Sequence, residues 1–147
     1  MAKTPSPEIV FEKVTGSRAQ VLALYGLLEQ RGHGISHQQM PSLSAHTAFV
    51  RAHPYRVWYL LYRGGALMGS AYLQRDNSVG IHLTPGQHRH LAEVVQRLQG
   101  LHAPLKPIPS VRPAHFCIHI APSNAPMRRA LEKMGAPQIQ QTYALPR

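Results

Sequence analysis

The stretch Val57–Thr84, VWYLLYRGGALMGSAYLQRDNSVGIHLT, decides the fold. It contains three short runs rich in β-branched, aromatic and aliphatic residues. Arg63-Gly64-Gly65 joins the first two and gives a hairpin signal. Arg75-Asp76-Asn77 joins the second and third. Three consecutive runs with short connections predict an antiparallel meander, the middle of a sheet.

Working outward, the pattern alternates between strand and helix. EIVFEKVT (Glu8–Thr15) has strand character, anchored by Ile9, Phe11 and Val14. In SRAQVLALYGLLEQRG, residues Val21, Leu24, Tyr25 and Leu28 recur at helical spacing, and Gly32 can end the helix. SLSAHTAFVRAHP reads as a second helix, capped near Ser42 or Ser44 and stopped before Pro54. After the meander, QHRHLAEVVQRLQGLH is amphipathic, with Leu91, Val94, Val95, Leu98 and Leu101 on one face. APLKPIPSVRP, with four prolines in eleven residues, is a loop. HFCIHI alternates as a strand. APSNAPMRRALEKMGA is a short helix with Asn124 as N-cap and Gly135 at its left-handed end. QIQQTYALP reads as a closing strand. The expected class is α/β with a mixed sheet, mostly antiparallel, with helices on both faces, in the order β-α-α-β-β-β-α-β-α-β.

The bulk numbers fit one domain over residues 1–147, with residues 1–7 frayed. A chain of this size buries about 70% of its unfolded surface. No apolar run approaches the ~20 residues needed to cross a bilayer, which argues against a membrane partner. The N-terminus has no signal-peptide core. The single cysteine, Cys117, rules out an internal disulfide, and a cytoplasmic location is the default. Sixteen Lys and Arg against six Asp and Glu give a net charge of +10, with ten histidines besides. Such a surface attracts polyanions: nucleic acid, nucleotide cofactors or phosphorylated substrates. The basic residues are scattered, which argues against a disordered basic tail. No spacing of His and Cys matches a metal site.

One segment carries a chemical hint. TPGQHRHLAEVVQRLQ (Thr84–Gln99) follows the apolar run VGIHL. Strand, tight turn and helix start form the layout of a phosphate-binding loop, where free N–H groups and the helix dipole favour an anion. Only one glycine, Gly86, stands early in the loop, followed by His88, Arg89 and His90.

The element order and several segments resemble the GNAT N-acetyltransferases over roughly Glu8–Leu145. NAPMRRALEKMGAPQIQQTYAL (Asn124–Leu145) looks like that family's last helix and closing strand, and HPYRVWYLLYRGGALMGSAYL (His53–Leu73) like its second and third strands. ISHQQMP, AHTAFVRAHPYR, NSVGIHL and QQTYAL also resemble members associated with amino-sugar biosynthesis. The resemblance implies acetyl-CoA as cosubstrate and a small-molecule amine as acceptor, such as one on a sugar nucleotide or another anionic molecule. It implies that the backbone of Ile81, His82 and Leu83 pairs with pantetheine. The pyrophosphate would lie on Gln87, His88, Arg89, His90, Leu91 and Ala92. In that alignment Gln87 takes the place of the family's Gln/Arg, His90 that of its first glycine, and Ala92 that of its second Gly/Ala. Asn124 is a helix cap first and a pantetheine contact second.

Two features usual in the family are replaced. Leu131 stands where a tyrosine often precedes Glu-Lys, and residues 77–92 contain no Asp or Glu. The candidates for a general base are therefore His82, His119 or a water chain, the two imidazoles being placed on neighbouring strands where they can line one cleft. Each can equally be a half-exposed strand histidine. Tyr143, on the expected closing strand, is either an acid, a substrate contact or a core aromatic. Two other readings compete with acyl transfer: a nucleic-acid-binding or nucleic-acid-modifying protein of the same fold, and a scaffold without cofactor. Both a monomer and a homodimer are compatible with the sequence.

Overall fold

A computed structural model describes residues 6–31 and 39–147. Five strands form one sheet in the order β1-β2-β3-β4-β5: β1 Ile9–Lys13, β2 Val57–Arg63, β3 Ala66–Leu73, β4 Ser78–Leu83 and β5 Cys117–Ile118. The first four are antiparallel, and β5 runs parallel to β4. Among the described residues, four α-helices accompany them: α1 Arg18–Gln30, α2 Leu43–Arg51, α3 Leu91–Leu101 and α4 Ala125–Lys133. No helix among the described residues is long and apolar enough to cross a membrane.

The meander forms for local reasons. Gly64 (φ +58°) and Gly65 (φ +78°) both take the left-handed conformation that a two-residue hairpin turn demands. The β3–β4 turn uses Asn77 (φ +67°), which carries far more than the turn. Its side chain is fully buried. Nδ2 donates to the carbonyls of Leu105 and Pro113, both at 2.9 Å, and Oδ1 accepts from the Leu105 N–H at 2.8 Å. Its backbone carbonyl accepts from Cys117 N–H at 3.1 Å. One amide thus holds the proline-rich loop and the start of β5 against the start of β4.

Strand alternation splits the core between the two faces of the sheet. Val57, Tyr59, Leu61, Ala71, Leu73 and Leu83 pack with Leu91, Val94 and Leu98 of α3 and Met127 of α4. Trp58 and Leu60 pack on the other face with Val21, Leu24 and Leu27 of α1 and Val50 of α2. Ser17 and Ser42 cap α1 and α2, accepting from the N–H groups of Gln20 and Ala45.

Four expectations need correction. HFCIHI pairs as a strand only at Cys117–Ile118. The helix after the phosphate-type loop begins at Leu91, because His88–His90 wind as a 3-10 turn, and Leu101 is 51% exposed, off the apolar face. Gly32, expected to end α1, lies outside the described residues, as does most of ISHQQMP. The closing strand is not formed: residues 136–147 are exposed and carry no helix or strand. Alternation is a local pattern, and a ladder needs a neighbour that this segment does not meet within the chain.

Candidate active site

The site starts from a parting of strands. β4 is paired with β3 from Gly69↔Leu83 to Leu73↔Val79. On its other side it pairs with β5 only at Ser78↔Cys117 and Val79↔Ile118. Beyond Val79 the β4–β5 ladder stops, and Gly80–Leu83 have no ladder partner on that edge among the described residues. A crevice at the carboxyl ends of diverging parallel strands is the usual ligand position in open α/β sheets. The side chain of Leu83 is buried in the core and that of Ile81 packs against it, so only their backbones face the opening.

At the end of β4 the chain turns sharply. Gln87 N–H donates to Thr84 O at 3.0 Å, and His90 N–H to Gln87 O at 3.0 Å. Gly86 (φ +84°) has open space where a Cβ would stand. The 3-10 turn leads directly into α3, whose cap residue His90 makes no side-chain cap hydrogen bond. The helix start is therefore not closed by its own side chains, and its dipole favours an anion. Leu91 is a core residue, buried at 1% exposure, and contributes backbone alone, whereas Ala92 is exposed.

The basic residues of this loop behave differently from one another. Arg89 Nε donates to His90 Nε2 at 3.1 Å, so His90 is a neutral acceptor. Burial, then the charges of Arg63 and Arg89, push its pKa down, against a smaller opposing pull from Glu93. A protonated imidazole helping the phosphates is thus disfavoured, and Arg89 is left as the cation. His88 is half-buried and also shifted down by burial.

His82 lies on the α1/α2 face of β4. Its Nε2 is buried, with no hydrogen-bond partner among the described residues. Burial, reinforced by the charges of Arg31 and His88, lowers its pKa to about 4. A buried, unpartnered ring nitrogen beside a strand edge is a position suited to a polar group of a ligand. His119 does not share this setting. It is exposed, near Asp76 at the turn that opens β4, where the hydrogen bond from Ser78 is the main influence holding that carboxyl below its ordinary range. The expected pair of imidazoles in one cleft reduces to His82. Tyr143 is 77% exposed in the C-terminal segment and donates to Gln141 Oε1 at 3.0 Å, away from any closing strand. Asn124 Oδ1 accepts from Met127 N–H at 3.3 Å, as a helix cap. Leu131 packs against the core.

The aromatic wall next to His82 did not stand out in the sequence. Tyr72 is the direct cross-strand partner of Gly80, and its ring fills the space that a side chain at residue 80 would take. Tyr72 stacks on Tyr55 with centroids 3.9 Å apart and planes 9° from parallel. Burial first, then the neighbouring Tyr72, raises the Tyr55 pKa to about 12. Trp58 meets Tyr55 edge-on at 5.1 Å and has a buried Nε1 with no partner among the described residues. The available signal was Gly80 itself, since a glycine inside a strand often marks close approach by another group. Among the described residues, no three His, Cys, Asp or Glu side chains come together as a metal site.

No family model matches the sequence, and no curated protein matches it. Solved structures do. The arrangement is the GNAT fold, a five-stranded mixed sheet with helices on both faces. It is similar to aminoglycoside N-acetyltransferase AAC(6')-Iy in complex with CoA, at a TM-score of 0.59 and 14% identity, covering 100% of this chain and 99% of that one. The same enzyme with a bisubstrate analogue, CoA-S-monomethyl-acetylneamine, aligns at a TM-score of 0.60 and 11% identity over 95% of this chain and 98% of that one. A possible acetyltransferase from Clostridium difficile 630 aligns at 0.56 and 7% identity over 97% and 98%.

Proposed function

We propose that this protein is an acyl-CoA-dependent N-acyltransferase that acetylates a small amine. The observation that carries the reading is the coincidence, on a GNAT fold, of an open β4 edge with a basic, uncapped helix start at its end. Acetyl-CoA supplies a thioester carbonyl open to attack by an amine. The residues present fit it. The free backbone edge of Gly80–Leu83 suits an extended pantetheine arm. Gly86, the N–H groups of residues 87–92 and the Arg89 guanidinium suit a pyrophosphate. A backbone N–H of the open edge can polarise the carbonyl.

His82 supplies the acceptor side. At pH above about 5 its ring is neutral, given a pKa of about 4, and with the proton on Nδ1 its Nε2 is free to accept. It accepts a hydrogen bond from the amine and receives the proton the amine releases. The stacked Tyr55 and Tyr72 shape the space and keep water from it.

The acceptor class follows from charge. Arg31 and His88 act electrostatically on His82, and the whole chain carries +10. A polycationic acceptor is disfavoured there, and an amine on a neutral or anionic molecule, including a sugar nucleotide, is favoured. Calorimetry with acetyl-CoA, followed by thiol release against anionic and polycationic amines, tests the reading. No CoA binding at millimolar ligand refutes it. Turnover confined to polycations refutes the acceptor class alone.

A further inference from the structure

We propose that the end of the sheet opposite the candidate active site is a docking face for the phosphodiester backbone of nucleic acid, built from Lys13, Arg56, Arg75, Lys106 and Arg112. The candidate active site lies at the carboxyl end of β4 and the start of α3. The five cations gather at the other end. There β2 and β4 begin, β3 finishes, and α3 gives way to the proline-rich loop of residues 103–113. α3 has 11 residues, so roughly 16 Å separates the two ends.

The cluster is tied together through the backbone. Arg112 Nε donates to Lys106 O at 2.7 Å, and its Nη1 to Arg75 O at 3.0 Å. Arg56 Nη1 donates to Ala103 O at 2.9 Å. Lys13 stands opposite Tyr59 across the β1–β2 ladder, and the Tyr59 hydroxyl lies 2.7 Å from His102 Nε2. Burial first, then the charges of Arg56 and Lys13, lower the His102 pKa, so that ring is neutral and Lys and Arg carry the charge of the face.

Among the described residues no carboxylate pairs with any of the five; the ion pair there is Arg128–Glu132 on α4. Asp76, at the same end, is engaged by Ser78, whose N–H and hydroxyl donate to Oδ1 at 2.9 and 2.6 Å. Glu12 accepts from Gln20 Nε2 at 3.2 Å. Like charges held together repel, and a polyanion relieves that repulsion.

Rigidity selects the kind of polyanion. Ile108 and Arg112 exchange backbone hydrogen bonds at 2.9 and 2.8 Å, which firms the loop that Asn77 already anchors. Two guanidinium groups are thus fixed in advance, each with further N–H groups to offer. A planar fork on a firm backbone matches a phosphodiester in a regular polymer, whereas a fluid anionic lipid surface needs no such order. The loop tip adds Ile108 and Val111, 42% and 70% exposed, apolar side chains that can lie against sugars and bases between flanking cations.

Fluorescence polarisation with labelled duplex DNA, duplex RNA and single-stranded DNA tests the face. Lys13, Arg75 and Lys106 are exposed, and their side chains make no hydrogen bond or ion pair among the described residues, so all three can be changed to Gln without loss of the fold. The wild type is expected to bind at least one of the polymers, more weakly as salt rises. The triple variant is expected to lose about tenfold in affinity, and its slope of log affinity against log salt should shrink by about 2–3. Arg129→Gln/Lys133→Gln/Arg147→Gln removes the same charge elsewhere and is expected to keep the wild-type slope. No binding to any polymer at low salt overturns the proposal. So do equal losses in the two triple variants, or binding to phosphatidylserine vesicles with none to nucleic acid. These readouts are polymer affinities, so they stand or fall independently of acyl transfer.

Discussion

Tyr72 occupies the volume that a side chain at Gly80 would need, and it cannot yield freely because its far face is stacked on Tyr55 at 3.9 Å. The glycine and the ring therefore act as one unit, directly opposite each other on β4 and β3. Gly80→Ala must push the ring off its stack. The expected cost is about 1–3 kcal/mol, the usual range for overpacking. Denaturant unfolding measures it, and the double variant Gly80→Ala/Tyr72→Ala should recover part of the loss, showing that the two residues are coupled.

His82 gives a pH signature. Its pKa is lowered from the ordinary 6.5 to about 4 by burial and by the nearby cations. The unfolded chain thus binds a proton between these values that the folded chain refuses. Stability present above pH 6.5 is lost as pH falls toward about 4. Between pH 7.5 and 4.5 the wild type should lose about 2 kcal/mol more than His82→Gln. Equal pH slopes for the two proteins would remove the assignment. In acetyl transfer, His82→Gln should lower kcat more than it raises KM.

Arg89 is the cation left to the phosphates once His90 serves as its acceptor. Arg89→Ala should weaken CoA binding about tenfold, the order expected for one charge-assisted hydrogen bond, with less salt dependence than the wild type. His90→Gly frees the guanidinium and should leave affinity equal or improved. Calorimetry at two ionic strengths reads both variants.

Asn77 should be among the most sensitive positions in the chain. Asn77→Ala strands the Leu105 N–H and the carbonyls of Leu105 and Pro113 and forces a left-handed φ on alanine. A loss of at least about 3 kcal/mol is expected. Asn77→Gly keeps the backbone at ease and isolates the part due to the side chain. Chemical denaturation of the two variants separates these contributions.

The sequence was legible where structure is local. The Gly64-Gly65 hairpin, the Ser42 and Asn124 caps, and the apolar stripe of α3 through Leu98 all depend on neighbours a few residues apart, and they stand where their spacing puts them. The site residues read from the loop, Gln87 to Ala92, do fall at a helix start. What escaped depends on distant partners. Tyr55 and Tyr72 look like ordinary strand aromatics until the sheet stacks them. His82 and His119 look equivalent until burial isolates one and exposes the other. The closing strand failed for the same reason, since a strand is defined by a neighbour the sequence does not name. Asn77 read as a turn residue, though its amide reaches carbonyls 28 and 36 positions away.

That long reach has a kinetic meaning. The meander and its helices close small loops, but the β4–β5 junction waits on contacts spanning dozens of residues, and such closures come late in folding. β5, held by two residue pairs and one buried amide, is then the natural first unit to open from the native state. Amides at its junction with β4 should exchange with solvent well before those of β2 and β3. Any molecule seated between the parted strands would slow that exchange, so the cleft would report its own occupancy through the opening rate of the sheet's last strand.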